Sequence, residues 1–144
     1  MKLLIRALVL TRYVTLNRQA REIRRVVQAL PVTAQRAVGQ LAMAEIQNAA
    51  KEPIPHLYGS ENVDRYQPWG DAASQSFVKA RSRVPQLKLR GIAMWLAVVY
   101  HETRDSQHHS LLEIHREVLG LLGLLKGTYA ANAVRSMEEE AAAA

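Results

Sequence analysis

The sequence has 144 residues, the length of one domain, and its 49% hydrophobic and 22% charged residues with a net charge of +6 are typical of a globular chain. Cysteine is absent, which excludes disulfides, thiolate zinc sites, iron–sulfur clusters and a cysteine nucleophile. Aromatic residues are only 6%, so helices packed through Leu, Ala and Val are favoured over a β-sandwich. No stretch has the roughly 20 apolar residues of a membrane span, and we expect a cytoplasmic protein that makes no membrane contact.

The first fifty residues predict two helices. In the first, apolar residues recur at i, i+3, i+4 and i+7 until Pro31 ends the pattern. These residues are Ile23, Val26, Val27 and Leu30. We expect residues 1–16 either to join the fold or to form a flexible lead-in. Thr33 is the predicted N-cap of a second helix that extends to about Ala50. Its predicted buried stripe is Val38, Leu41, Ala42 and Ile46.

Residues 51–70 are rich in proline and glycine, which predicts a long loop. The helix-breaking residues are Pro53, Pro55, Gly59, Pro68 and Gly70. A loop of this length in a small bundle is often functional. Asp71 is the predicted cap of a third helix over residues 72–84, which buries Phe77, Ala80 and Val84.

Two further helices are predicted in the second half of the chain. Pro85 stands in the first turn of a fourth helix over residues 86–101, which is apolar on nearly every face and is therefore expected at the centre of a bundle. Ser110 and Glu113 form a capping box that starts a fifth helix running to about residue 127. Its predicted apolar stripe is Leu111, Ile114, Val118, Leu121 or Leu122, and Leu125. Gly120, Gly123 and Gly127 are predicted to allow close helix contact, and residues 135–144 are expected to fray.

These patterns predict an all-α fold: a single compact bundle of five to six helices over residues 1–144 with one long Pro-rich loop. Charge alternates along it, since residues 1–36 sum to +7, 37–75 to −3, 76–91 to +5 and 92–144 to −3. Clustered arginines repel one another unless an anion lies across them, so both basic blocks are candidate contacts for a nucleic-acid backbone. The first candidates are Lys79, Arg81, Arg83, Lys88 and Arg90, followed by Arg18, Arg21, Arg24 and Arg25. The alternative is a solvated basic face without a partner.

The sequence contains no convincing catalytic or metal site. His101, Asp105, His108 and His109 have helical spacing, but Asp105 stands where the zincin pattern H-E-x-x-H requires its second histidine. The polar segment between them predicts a broken helix and exposed histidines. Phosphate-binding glycine loops and the nucleophile elbow are missing, and Glu102 beside His101 has no nucleophile to activate. We therefore expect no cofactor, no metal and no enzymatic activity.

Two segments carry a family resemblance. In residues 76–100 the pattern consists of an aromatic and a basic residue, a Val-Pro step, leucines, a glycine and an apolar helix. Its members are Phe77, Lys79, Val84, Pro85, Leu87, Leu89, Gly91, Leu96, Ala97 and Tyr100. In residues 111–134 it consists of Leu121-Leu122, Leu124-Leu125-Lys126 and Tyr129-Ala130-Ala131, and residues 35–47 match more loosely. The chain thus resembles the small helical (Cmr-type) subunit of type III-B CRISPR effector complexes.

The resemblance implies a non-catalytic subunit in antiviral defence. Copies of it would stack head to tail as an inner filament that lines the groove for guide RNA and target RNA. Other subunits of the effector complex would carry out cleavage and signalling. The basic residues of 76–91 lie within the matching segment, which makes them the first choice for RNA contact.

Three other functions stay open on sequence grounds. A DNA-binding regulator would place a helix pair in the major groove. A peripheral membrane or protein-interaction module would use the apolar and basic residues 1–30 at a lipid headgroup layer. A metal-dependent hydrolase would use the histidines.

Overall fold

The computed structural model describes the backbone of residues 2–51 and 66–125, and side chains from residue 10 to 48 and from 72 to 125. Residues 52–65 of the predicted loop, Gly127 and the predicted frayed tail 135–144 lie outside the described residues. The described residues form five helices and contain no strand, which confirms the all-α bundle. The helices are α1 (Lys2–Ala29), α2 (Val32–Lys51), α3 (Tyr66–Ala80), α4 (Pro85–Arg104) and α5 (residues 109–125).

Pro31 separates α1 from α2, as predicted, because proline has no N–H with which to continue a helix. The carbonyl oxygen of Pro31 accepts the first hydrogen bond of α2, from the backbone N–H of Gln35 at 2.9 Å. The side-chain amide of Gln35 also donates to the carbonyl oxygen of Leu30. Thr33 therefore lies inside the first turn of α2, and the prediction that it caps this helix is wrong.

The buried face of α2 differs from the predicted stripe at one position. Val38, Ala42 and Ile46 are buried as predicted, but Leu41 is 39% exposed. The reason is that α2 packs through Gly39, where an added Cβ would lie only 3.1 Å from the Cβ of Leu125 in α5. Leu41 lies two positions from Gly39, roughly 160–200° away around the helix, and so faces solvent.

The third helix begins earlier than predicted. It starts at Tyr66, so Asp71 lies within the helix rather than at its cap, and the loop is shorter at this end. Pro68 occupies the first turn of α3, where a backbone N–H has no helical partner and proline is tolerated. The density of helix breakers therefore did not exclude helix at residues 66–70.

The third helix also ends earlier than predicted. Its last residue is Ala80, and the backbone N–H of Arg81 is shared between the carbonyl oxygens of Phe77 and Val78. Phe77 and Ala80 are buried as predicted, but Val84 is 50% exposed. Residues 81–84 form a tight turn before Pro85, and this turn carries Val84 out of the α3 stripe.

Helix α4 is the centre of the bundle, as predicted. Residues on all its sides are buried between Gly91 and Thr103, and α4 packs along both α2 and α3. Trp95 is completely buried, and its indole N–H donates to the side-chain oxygen of buried Gln19 in α1 at 2.9 Å. This bond satisfies the polar edge of the ring, which is needed for a tryptophan in a helical core.

Gly91 sets the distance between α3 and α4. A Cβ built at this position would overlap the backbone nitrogen of Ala80 and would lie 2.8 Å from the carbonyl oxygen of Ser76. The two helices approach here backbone to backbone, which only glycine permits. The end of α3 is thereby held against the start of α4.

Helix α5 buries the predicted stripe: Leu111, Ile114, Val118, Leu121, Leu122 and Leu125. The carbonyl oxygen of His108 accepts from the backbone N–H of Leu112 at 3.1 Å, so His108 holds the cap position, and the predicted capping role of Ser110 is wrong. Gly120 and Gly123 have no neighbouring atom within 4 Å of an added Cβ. They lie opposite the buried stripe, so the predicted close helix contact at these glycines is wrong.

Candidate nucleic-acid interface

The arginines of α1 divide between two sides of the helix. Arg18, Arg21 and Arg25 are exposed and follow one another at i, i+3 and i+7, which places them on one outer face with Arg21 at its edge nearest α5. Arg24 lies toward α5, where its guanidinium pairs with the carboxylate of Glu117. The predicted four-arginine set is therefore three outward guanidiniums and one that is neutralised by a neighbouring helix.

The second basic block surrounds the junction between α3 and α4. Four of its members are exposed and Lys88 is half-buried. The exposed members are Lys79, Arg81, Arg83 and Arg90. The two helix ends approach each other closely at Gly91, so these cations lie around a backbone-to-backbone contact of the bundle.

The two basic blocks meet in the folded chain. The Nε of Arg81 lies 3.9 Å from a carboxylate oxygen of Glu22 in α1, and Glu22 stands four residues after Arg18 and three before Arg25. The Arg81 guanidinium also lies 5.7 Å from the centroid of the Phe77 ring. Arg81 is exposed and Glu22 is only half-buried, so the pair adds little stability but marks where α1 adjoins the α3–α4 junction. We call the combined region the basic surface: Arg18, Arg21, Arg25, Lys79, Arg81, Arg83, Lys88 and Arg90.

Backbone groups add positive potential to this surface. The N-cap residue of α4 is Val84, which offers no side-chain acceptor to the first N–H groups of the helix. A helix N-terminus carries a partial positive charge of about half an elementary charge. This end of α4 lies in sequence between Arg83 and Lys88, so the dipole and the side chains have the same sign.

Most of the predicted contact residues are available to an anion. Among the nine, Arg24 and Arg81 pair with carboxylates, and the other seven have no carboxylate partner within the described residues. Unpaired guanidinium and ammonium groups at a surface are the groups that neutralise phosphates in nucleic-acid complexes.

The histidines are separated rather than gathered at one site. His101 is buried and its Nε2 donates to the carbonyl oxygen of Ile46 at 3.2 Å, which corrects the expectation of exposed histidines at this position. His115 Nδ1 lies 3.0 Å from Thr103 Oγ1, and His109 pairs with Glu113. Within residues 2–51 and 66–125, no three potential metal ligands come together.

Burial lowers the pKa of both His101 and His115. The charged form of an imidazole is costly away from water, so both rings are neutral in the fold near pH 7. They link α4 to α2 and to α5 and serve the packing of the bundle.

Glu102 is the acid considered as a general base, and its environment does not suit that role. Its side chain is completely buried, and its two oxygens accept from Arg12 Nε at 2.5 Å and Nη2 at 2.7 Å. Burial raises the pKa of Glu102, and the bonds from Arg12 oppose that rise. The pair fastens α1 to the C-terminal half of α4, and no substrate could reach it.

A groove between α1 and α5 was not predicted from the sequence. It encloses about 380 Å³ and is lined by Tyr13, Asn17, Arg21, Glu113, Ile114, Arg116 and Glu117. We call it the α1–α5 groove. Arg116 escaped prediction because it belongs to a block whose charges sum to −3, and only the packing of α5 against α1 places it near Arg21.

Comparisons of the chain with protein-family models, curated proteins and solved structures find no match. Of the helices that the structure describes, none combines the length and apolar character needed to span a bilayer.

Proposed function

We propose that this chain is a non-catalytic helical subunit that holds the phosphate backbone of a nucleic acid on its basic surface. The observation that carries the proposal is the meeting of the two basic blocks beside Glu22 and Arg81. Cations from α1 and from the α3–α4 junction then lie on adjoining parts of the surface. Such a surface contacts the backbone without reading base edges, because arginine and lysine at phosphates carry no sequence information.

The assembly that we propose is a type III CRISPR RNA-guided effector complex in the cytoplasm. Its partners would be guide RNA, target RNA, other effector subunits and copies of this chain stacked head to tail. Support comes from the resemblance in residues 76–100, whose Val84-Pro85 step forms the α3–α4 junction and whose Gly91 holds that junction closed. The resembling positions are thus the ones that present the second basic block.

The packing of α4 disfavours a DNA-binding regulator. A recognition helix must enter the major groove, but most residues of α4 between Gly91 and Thr103 are buried, which leaves only its two ends exposed. A lipid-binding role has one supporting observation, since Leu10 and Val14 are more than half exposed on α1. Binding to lipid vesicles is therefore one outcome of the test below.

The test measures binding of the full chain to a single-stranded RNA and to an RNA duplex over a range of salt concentrations. We expect log K to fall linearly with log salt, with a slope of about −0.7 to −0.9 per neutralised phosphate. Arg18→Gln and Arg83→Gln remove one charge from each block. Each should flatten the slope by about one phosphate, and the double variant should show both effects.

Arg104→Gln is the matched control, because Arg104 is exposed at the far end of α4 and pairs with Asp105. It should leave affinity and slope unchanged. Equal slopes for wild type, Arg18→Gln and Arg83→Gln would exclude the basic surface as the binding site. Retention on anionic vesicles that is lost in Leu10→Gln/Val14→Gln, with no RNA binding, would identify a membrane-surface protein instead.

The proposed assembly has its own test. Copies bound per RNA molecule, measured by native mass spectrometry, should rise with the length of the RNA, as expected for a stacking filament. Genes for CRISPR effector subunits next to the gene for this chain would support the assignment. Binding of one copy at every RNA length would contradict the filament.

A further inference from the structure

We infer that the α1–α5 groove binds one unpaired nucleotide of a single-stranded nucleic acid, with the base against Tyr13 and a phosphate at Arg21 and Arg116. The inference rests on the proposed function and names a site that contributes to it. It adds Tyr13, Asn17 and Arg116 to the residues that contact the strand.

The charges in the α1–α5 groove favour an anion. One of its two acids, Glu117, pairs with Arg24, and the other, Glu113, lies 2.9 Å from the Nε2 of His109. Arg21 and Arg116 have no carboxylate partner among the described residues. The groove therefore holds two guanidiniums against the one carboxylate, Glu113, that no arginine neutralises, so an excess of positive charge remains. Guanidinium is the group that forms paired hydrogen bonds with phosphate.

The side chains along the α1 wall of the groove follow one another in an order that matches the groups of a nucleotide, from base to phosphate. Tyr13, Asn17 and Arg21 follow at i, i+4 and i+8, so an aromatic ring, an amide and a guanidinium line one edge of α1 over roughly 12 Å. Tyr13 is partly buried against the core, which holds its ring in place, and buried Ile114 forms an apolar floor. An aromatic ring offers a stacking surface to any base, and the guanidinium at the other end suits a phosphate.

The size of the groove selects a single strand. Its volume of about 380 Å³ is near the lower end of the roughly 300 to 1,000 Å³ of small-molecule sites. One nucleotide unit fits such a space, but a base pair held within a helix does not. A base can lie against a protein ring only when it is unpaired and unstacked, which is the usual mode of single-stranded recognition.

The test compares three short probes: single-stranded RNA, an RNA duplex of the same length and an abasic oligonucleotide. Tyr13→Leu should weaken binding of the single-stranded RNA roughly tenfold, because stacking is lost. It should leave binding of the abasic oligonucleotide and the duplex unchanged. Tyr13→Phe keeps the ring and should bind all three probes like wild type, and thermal melting checks that both variants fold.

Arg116→Gln tests the phosphate end of the site. It should flatten the salt dependence for single-stranded RNA by about one phosphate contact, whereas Arg104→Gln should not. If RNA still binds but Tyr13→Leu and Arg116→Gln match wild type, the groove is not the site and the proposed function stands. If no probe binds, the proposed function and this inference fail together. Equal weakening of all three probes by Tyr13→Leu would show a structural effect and overturn the stacking role.

Discussion

Replacement of Gly91 by alanine tests whether α3 and α4 meet backbone to backbone. The new Cβ would lie 2.7 Å from the carbonyl carbon of Lys79 and 2.8 Å from the carbonyl oxygen of Ser76, against 3.4–4 Å for ordinary contact. All the atoms it meets belong to helix backbone, so no side chain can rotate away. The two helices must separate, and the core between them must loosen.

The expected loss of stability follows from two opposing effects. Over-packing of a core costs about 1–3 kcal/mol, and a clash with rigid backbone belongs at the upper end. Alanine regains about 1 kcal/mol because it forms helix better than glycine. The net loss for Gly91→Ala is about 2 kcal/mol, which lowers Tm by about 4–8 °C in a chain of this size. Thermal and urea unfolding followed by circular dichroism measure it.

The matched control is Gly123→Ala in α5. No atom lies within 4 Å of a Cβ at this position, so only the gain in helix propensity applies. We expect an increase in stability of about 0.5–1 kcal/mol. The same substitution should therefore act in opposite directions at the two glycines. Stability of Gly91→Ala at or above that of wild type would refute the close approach of α3 and α4.

Three further predictions concern buried polar groups. Arg12→Met leaves the carboxylate of Glu102 buried without its partner and should lower the free energy of unfolding by about 3–5 kcal/mol. Glu102→Gln should lower it by less, and equal losses of free energy for the two variants in urea titrations would contradict this. Burial lowers the pKa of His101 below its ordinary 6.5, so the stability of the fold should be retained above pH 6.5 and lost as pH falls below it. Thermal unfolding measured at a series of pH values should show a shallower loss of stability for His101→Gln. Gln19→Leu removes the acceptor of the Trp95 N–H and should lower the free energy of unfolding by about 1–3 kcal/mol in the same assay; an unchanged free energy would contradict the buried bond.

The spacing of apolar residues correctly predicted the helices that bury a single apolar stripe against the core. The stripes of α1 and α5 and the apolar character of α4 place Val27, Val118 and Trp95 inside, as the structure confirms. Helix starts were predicted less well. Thr33 and Ser110 are good capping residues, yet the carbonyl oxygens of Pro31 and His108 accept the first helical bonds. Neighbouring residues can each serve as the N-cap of a helix, so the presence of one favourable residue does not determine where the helix begins.

The sequence by itself determined the helical class of the chain, its buried stripes and the existence of two acid-poor blocks, because these depend on residue type and on spacing within one helix. Only the tertiary structure decided that Glu22 and Arg81 meet, that Glu117 neutralises Arg24 and that Arg116 enters a groove. The physical reason is that these contacts depend on how helices rotate and approach one another. That geometry is set by small differences in packing, such as the missing Cβ of Gly39 or Gly91, and not by local periodicity.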